Sequence, residues 1–123
     1  MIEGIDVVFL HVKDQKMMVK WYSEKLGLKI KFQVLDNSWQ EFSMENNSST
    51  RFALDHVRSK PSNVERQSII ISFKVKNIFE VVAKLEELNV NFIGKEKIID
   101  VGTSLVATFQ DPEGNYLQLS QTK

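Results

Sequence analysis

Two stretches of this chain repeat one another, and that repeat restricts the fold more than any other feature, because one local plan must then be built twice. With Val12 placed over Val75, the run VVFLHVKD from Val7 overlies IIISFKVKN from Ile69, so that Val7 falls on Ile70. After one gap, EKLGLKI from Glu24 lies over EELNVNF from Glu86. The joint between the copies is the polar stretch from Arg58 to Gln67, which contains Pro61.

Each copy opens on a strand pattern and passes into a helical one. Asp14 is placed to accept hydrogen bonds from the free N–H groups of a first helical turn. Met17, Met18, Trp21, Tyr22 and Leu26 then recur at helical spacing as one apolar stripe, and Gly27 can take the left-handed conformation that closes a helix. In the second copy Asn77 and Glu80 have capping-box spacing. Phe79, Val81, Val82, Leu85 and Leu88 supply the stripe there, and Asn89 stands where Gly27 stands in the first copy. Three strand-forming segments follow each helix: Leu28 to Gln33, Ser38 to Met44 and Thr50 to His56, then Val90 to Ile98, Thr103 to Phe109 and Asn115 to Ser120. Asp36-Asn37, Asn46-Asn47 and Asp111-Pro112-Glu113-Gly114 are turn chemistry between them. The order is β-α-β-β-β, twice, an α+β chain.

A length of 123 residues fits one domain, expected over 1–123 with modules at 4–57 and 67–121. Lys and Arg number 16 against 16 Asp and Glu, without a basic cluster, so nucleic acid is not an expected partner. Apolar runs such as Ile69 to Ile71 fall far short of the ~20 residues that span a bilayer, so no membrane partner is expected. The start MIEGIDVV lacks the basic and long apolar parts of a signal peptide. Cysteine is absent, which removes disulfides, thiolate metal sites and a Cys nucleophile. The expected location is the cytoplasm.

The repeated order, with WYSEKLGLKI from Trp21 and FQDPEGNYLQL from Phe109, resembles the vicinal oxygen chelate superfamily, which includes glyoxalase I, extradiol dioxygenases, and fosfomycin- and bleomycin-resistance proteins. The resemblance runs from about Ile5 to Ser120. It implies two βαβββ modules whose mixed sheet forms a cup with the helices on its outer face, commonly completed in a homodimer. In DPEGN, Pro112 presets the turn and Gly114 permits positive φ, so this motif specifies shape and carries no chemistry.

Enzymes of that superfamily hold a metal with His or Glu ligands from the first and last strands of each module. Carried over by the neighbouring landmarks, these positions are Val7, Ala53, Ile70 and Gln118. Three are hydrocarbon, and an amide oxygen at Gln118 is a weak neutral ligand, whereas catalytic metals take about three protein ligands. No metal and no other cofactor is expected here.

Side chains alternate across a strand, so residues sharing parity with those positions should face the ligand side. They are Val7, Phe9, His11, Arg51, Ala53 and Asp55 in the first module, then Ile70, Ser72, Lys74, Tyr116, Gln118 and Ser120 in the second. Trp39 and Glu41 are assigned to the same side. The opposite parity, Val8, Leu10, Val12, Phe52, Leu54, Ile69, Ile71, Phe73, Leu117 and Leu119, is apolar and should pack on the helices. Phe9, His11, Trp39, Glu41, Arg51, Asp55, Ser72, Tyr116 and Gln118 thus form the candidate ligand site, aromatic walls with scattered polar groups. Arg51 either clamps a carboxylate or phosphate of a ligand or pairs internally with Asp55 or Glu41. His11 is either an acid–base group, with Glu41 as the other weak catalytic candidate, or a hydrogen-bonded histidine at a strand rim. His56 has helix-facing or loop parity and is assigned no role.

Three functions remain. The first is a binder of a small organic molecule without chemistry, as in bleomycin-resistance proteins. The second is a small-molecule lyase, isomerase or dioxygenase of the same superfamily, in a metal-free form using His11 with Glu41 or Asp55. The third is a surface for a protein partner.

Overall fold

Asp14 caps the first helix as its position predicts: its carboxylate accepts from the Met17 N–H at 3.1 Å, and the helix, α1, runs Gln15–Glu24. The computed structural model describes residues 1–33, 36, 38–45, 50–58 and 68–123. Asn37, the Asn46-Asn47 turn and the joint around Pro61 lie outside the described residues. Contacts divide the chain into two units, Met1–Ser62 and Asn63–Lys123.

In the first unit α1 follows strand β1, Val7–Val12, and precedes β2, Lys29–Gln33, β3, Trp39–Ser43, and β4, Arg51–His56. The sheet order is β1-β4-β3-β2. β1 runs parallel to β4, while β3 is antiparallel to both β4 and β2. A parallel pair needs a crossover between its strands, and α1 with the β2–β3 hairpin is that crossover. Gly27 at φ +71 turns the chain out of α1, and the Leu28 N–H donates back to the Tyr22 carbonyl.

The core of this unit lies between α1 and one face of the sheet. Met18 and Tyr22, one helical turn apart, are buried with Val12, Phe42, Phe52 and Leu54. The Tyr22 ring centroid stands 5.6 Å from Phe52 and 6.1 Å from Phe42. Each such side chain contributes roughly 1.5–3 kcal/mol through burial, so this cluster outweighs any one surface contact. Gln40 lies buried in the same face, and its amide donates to the carbonyls of Phe32 and Glu41. The first of these bonds spans the register shift of β2 between Ile30 and Phe32.

The second unit repeats the plan with one addition. β5, Ile71–Lys74, leads to α2, Ile78–Glu87, then β6, Asn91–Phe92, β7, Ile99–Asp100, β8, Ser104–Gln110, and β9, Tyr116–Thr122. β5 pairs parallel with β9, and β8 pairs antiparallel with β9, β6 and β7. Asn77 accepts from the Glu80 N–H at 3.2 Å, and Asn89 at φ +63 ends the helix as Gly27 ends the first. The core comprises Ile78, Val82, Leu85, Val90, Ala107, Phe109, Leu117 and Leu119. In the DPEGN turn, Asp111 accepts from the backbone N–H groups of Glu113 and Asn115 and from the Asn115 amide, while Gly114 sits at φ +84.

The structure departs from sequence expectation at several places. The segment Val90 to Ile98 is not one strand: Gly94 at φ +91 breaks it, and two-residue strands stand on either side of the Lys95-Glu96-Lys97 run. Phe79 is 59% exposed, and Ile78 takes the buried place, a one-residue turn of the helical face. Met17 is exposed, so the stripe of α1 rests on Met18 and Tyr22. Ile69 and Ile70 precede β5 and are exposed.

Two outcomes follow for stability. Asn89→Gly should raise the unfolding free energy by up to about 1 kcal/mol, and Gly27→Ala should lower it by about 1–2 kcal/mol, each read as a shift of the urea midpoint at unchanged m-value, since only the left-handed backbone cost changes. Asp100 has its pKa lowered by hydrogen bonds from Lys123 and the Gly102 N–H and by the Lys123 charge. Its stabilising contribution is therefore complete above the ordinary carboxylate pKa and lost as pH falls through the lower folded value. Asp100→Asn should flatten that acid limb in pH-dependent urea titrations.

Candidate functional site

Strand register sets one row of side chains beside the next on the face of the first sheet opposite α1. Phe9 pairs with Ala53, and Ala53 with Glu41; His11 pairs with Asp55, and Asp55 with Trp39; Val7 pairs with Arg51. Because successive side chains alternate, none of these shares the face of Phe42, Phe52 and Leu54. Phe9, His11, Trp39, Glu41, Arg51 and Asp55 are thereby brought together on one surface.

Glu41 organises its polar part. Oε2 of Glu41 accepts from Trp39 Nε1 at 3.0 Å and from Arg51 Nη1 at 3.1 Å. The other end of the guanidinium donates through Nη2 to Asp6 Oδ2 at 2.7 Å. The Glu41 side chain is only 9% exposed, against 81% for Asp6. Solvent screening makes the Asp6 pair weak, whereas the buried carboxylate depends on its donors. The hydrogen bond and charge of Asp6, followed by Glu41, raise the Arg51 pKa above its ordinary value, so this guanidinium stays charged. Arg51 thus makes an internal pair, with Glu41 as one of its two expected partners. Asp55 faces His11, whose Nε2 stands 3.5 Å from Oδ2.

The aromatic part is open. Phe9 is 44% exposed, with its ring centroid 5.3 Å from Trp39 and 5.7 Å from His11. Exposed apolar rings beside fixed polar groups are the usual make-up of a small-molecule surface. Asp6 is the participant that sequence reasoning missed. It precedes β1, where alternation carries no signal, and only its position one residue from the strand hinted at it.

In the second unit Ser72 pairs with Gln118, and the Ser72 hydroxyl donates to Gln118 Oε1 at 3.0 Å. Tyr116, on the same strand, is exposed. Of the positions to which the resemblance assigns metal ligands, Val7, Ala53 and Ile70 have no lone pair, and the Gln118 amide oxygen is engaged by Ser72. These residues do not fit a divalent ion. Among the described residues no group of three or more His, Cys, Asp or Glu side chains is gathered as a metal site would need.

A wide depression of about 590 Å³ lies at the start of α1, lined by Lys13, Asp14, Gln15, Lys16, Asp36, His56 and Arg58. It shares no residue with the aromatic face. Its acids already have structural work: Asp14 caps α1, and Asp36 accepts from the Ser38 N–H. The Ser38 hydrogen bonds, with a smaller contribution from His56, lower the Asp36 pKa. His56, which alternation left without a role, is exposed there. The aromatic face, with apolar rings beside polar groups, has the stronger claim to a ligand.

Residues 4–119 match the family model described as the glyoxalase/bleomycin resistance protein/dioxygenase superfamily. Uncharacterized protein YetH of Bacillus subtilis is 26% identical over 127 residues, covering 98% of this chain and all of the relative. TnmS3, an antibiotic binding protein from Streptomyces, has a crystal structure that superposes with a TM-score of 0.76 at 20% identity, over 99% of this chain and 98% of that one. Lactoylglutathione lyase from Agrobacterium tumefaciens superposes with a TM-score of 0.70 at 14% identity, over 97% and 93% of the two chains. An antibiotic binder and a lyase both share this fold, so the fold leaves the choice to the residues of the site.

Glu41→Ala should leave the Trp39 indole N–H and one end of Arg51 without their acceptor. A loss of about 1–3 kcal/mol is expected in urea unfolding, well above the change produced by Asp6→Asn at the exposed end of the same network.

Proposed function

Because this chain belongs to the glyoxalase/bleomycin resistance protein/dioxygenase superfamily, we propose that it is a small-molecule binder, holding an organic ligand on the open face of its first sheet without a metal. The observation that carries this reading is the Phe9–Trp39 pair, in which Phe9 is exposed and the half-buried Trp39 is fixed by its bond to Glu41. The hydrocarbon side chains at Val7, Ala53 and Ile70 support a metal-free site, and with it the absence of metal-dependent glyoxalase or dioxygenase chemistry. TnmS3, whose name describes antibiotic binding, lends support as a relative in fold. Ser72, Tyr116 and Gln118 are proposed as ligand-contacting residues of the second unit taken by itself.

We further propose a single domain over 1–123, located in the cytoplasm and acting as a homodimer, with neither nucleic acid nor membrane as a partner. Balanced charge and the lack of cysteine support this setting. Among the described residues no helix is long and apolar enough to cross a membrane.

A second reading, a metal-free enzyme, draws on one observation: His11 Nε2 stands 3.5 Å from Asp55. That distance is longer than an ordinary hydrogen bond, yet acid–base pairs without substrate are often loose. In this reading Asp55 orients the imidazole, and His11 moves a proton on a small carbonyl compound or acid. Glu41 is less suited to that work, being committed to Trp39 and Arg51.

Thermal shift with a library of small organic molecules and, separately, with Zn²⁺, Mn²⁺, Ni²⁺ and Fe²⁺ tests the first reading. A ligand at a hundred times its Kd should stabilise by about 2.7 kcal/mol, the shift should vanish in Trp39→Leu, and none of the metals should stabilise. Metal-dependent stabilisation would contradict it. For the second reading, turnover of a stabilising ligand that is lost in His11→Gln with binding retained is the expected result, and a ligand recovered unchanged is the contrary one.

A further inference from the structure

We infer that the ligand of the first-sheet face is a planar aromatic cation, and that this face discriminates against aromatic anions. The inference rests on the binding reading above and specifies the class of ligand.

The rings set the shape. Phe9 and Trp39, with centroids 5.3 Å apart, offer apolar ring surface, and the His11 ring lies 5.7 Å from Phe9. A flat aromatic molecule covers such a surface with little loss of its own conformational freedom.

The hydrogen-bonding groups set the charge. An anion needs donors, and here the one indole N–H of Trp39 is already engaged and both Nη atoms of Arg51 already donate to carboxylates. Trp39 Nε1 and Arg51 Nη1 both donate to Glu41 Oε2, and Arg51 Nη2 donates to Asp6. An anion that drew Nη1 of Arg51 to itself would compete with Glu41, a carboxylate whose side chain is 9% exposed. That carboxylate would then be short of a partner where water barely reaches it.

Acceptors, by contrast, remain. Asp55 Oδ2 stands 3.5 Å from His11 Nε2, longer than an ordinary hydrogen bond, so this carboxylate keeps acceptor capacity toward an incoming N–H. The face carries two carboxylates on Arg51, Asp6 and Glu41, and a third, Asp55, further along β4 beside His11. A positive ring also gains from the π-face of Trp39, where an anion is repelled.

Three tricyclic probes of similar size separate charge from shape: proflavine, a cation at pH 7.5; acridine, neutral at that pH; and acridine-9-carboxylate, an anion. Isothermal titration of the full chain should give proflavine binding about tenfold or more tighter than acridine-9-carboxylate, with acridine between them. Raising the salt from 0.05 to 0.5 M should weaken proflavine more than acridine. Asp55→Asn, at a half-exposed position, should narrow the gap to about threefold, while Trp39→Leu should weaken all three probes. Equal or tighter binding of acridine-9-carboxylate would overturn the inference and leave the binding reading in place. The same holds if thermal shift finds ligands whose effect needs Trp39 but none of the three probes binds. If no small molecule gives a Trp39-dependent shift, the binding reading itself fails.

Discussion

Parallel pairing of β1 with β4, with His11 opposite Asp55 and Phe9 opposite Ala53, is the constraint on which the first unit depends. Strand side chains alternate strictly, so a slip of one residue would exchange the two faces. In the observed register Val12, Phe52 and Leu54 meet Tyr22 and Met18 of α1, while Phe9, His11, Arg51 and Asp55 gather on the other side. The apolar core enforces that register because burying the polar set against α1 would strand charges away from water. Core packing therefore positions the candidate site, although no site residue named above lies in the core beneath α1.

Glu41 stands between the two roles. It sits beside Ala53 in the sheet and is nearly inaccessible, yet it holds Trp39 on one side and Arg51 on the other. A buried carboxylate with two donors fixes geometry more firmly than the exposed Arg51–Asp6 contact can. The result is a surface on which the Trp39 indole donor is spent internally and the Phe9 ring stays open. Such a surface is suited to holding a flat molecule.

Much of this was legible in the sequence, and the reasons differ by element. β1 reads VVFLHV and has no polar alternation of its own. Its two faces were readable only from the geometric alternation of a strand and the parity that the family resemblance supplies. By contrast, Asp14, Asn77, Gly27 and Asn89 mark helix ends through local chemistry that needs no partner. Where the signal was only propensity, it misled. Strand formers from Val90 to Ile98 gave way to the left-handed backbone at Gly94, and Phe79 looked like core because periodicity alone does not fix a helical face to within one residue. The Arg51–Asp6 contact joins residues 45 apart, one of them outside any strand, and no periodic pattern encodes it. The depression at the start of α1 was likewise invisible, since Asp36 and Arg58 meet there only through the fold.

The two tryptophans, Trp21 on α1 and Trp39 on the open face, offer a direct test. In a ¹H–¹⁵N spectrum each indole N–H gives its own resonance, assignable through Trp21→Phe. On titration with a stabilising ligand the Trp39 indole resonance should shift and the Trp21 resonance should hold still. A ligand that binds while moving Trp21, or neither indole, would contradict the placement of the site.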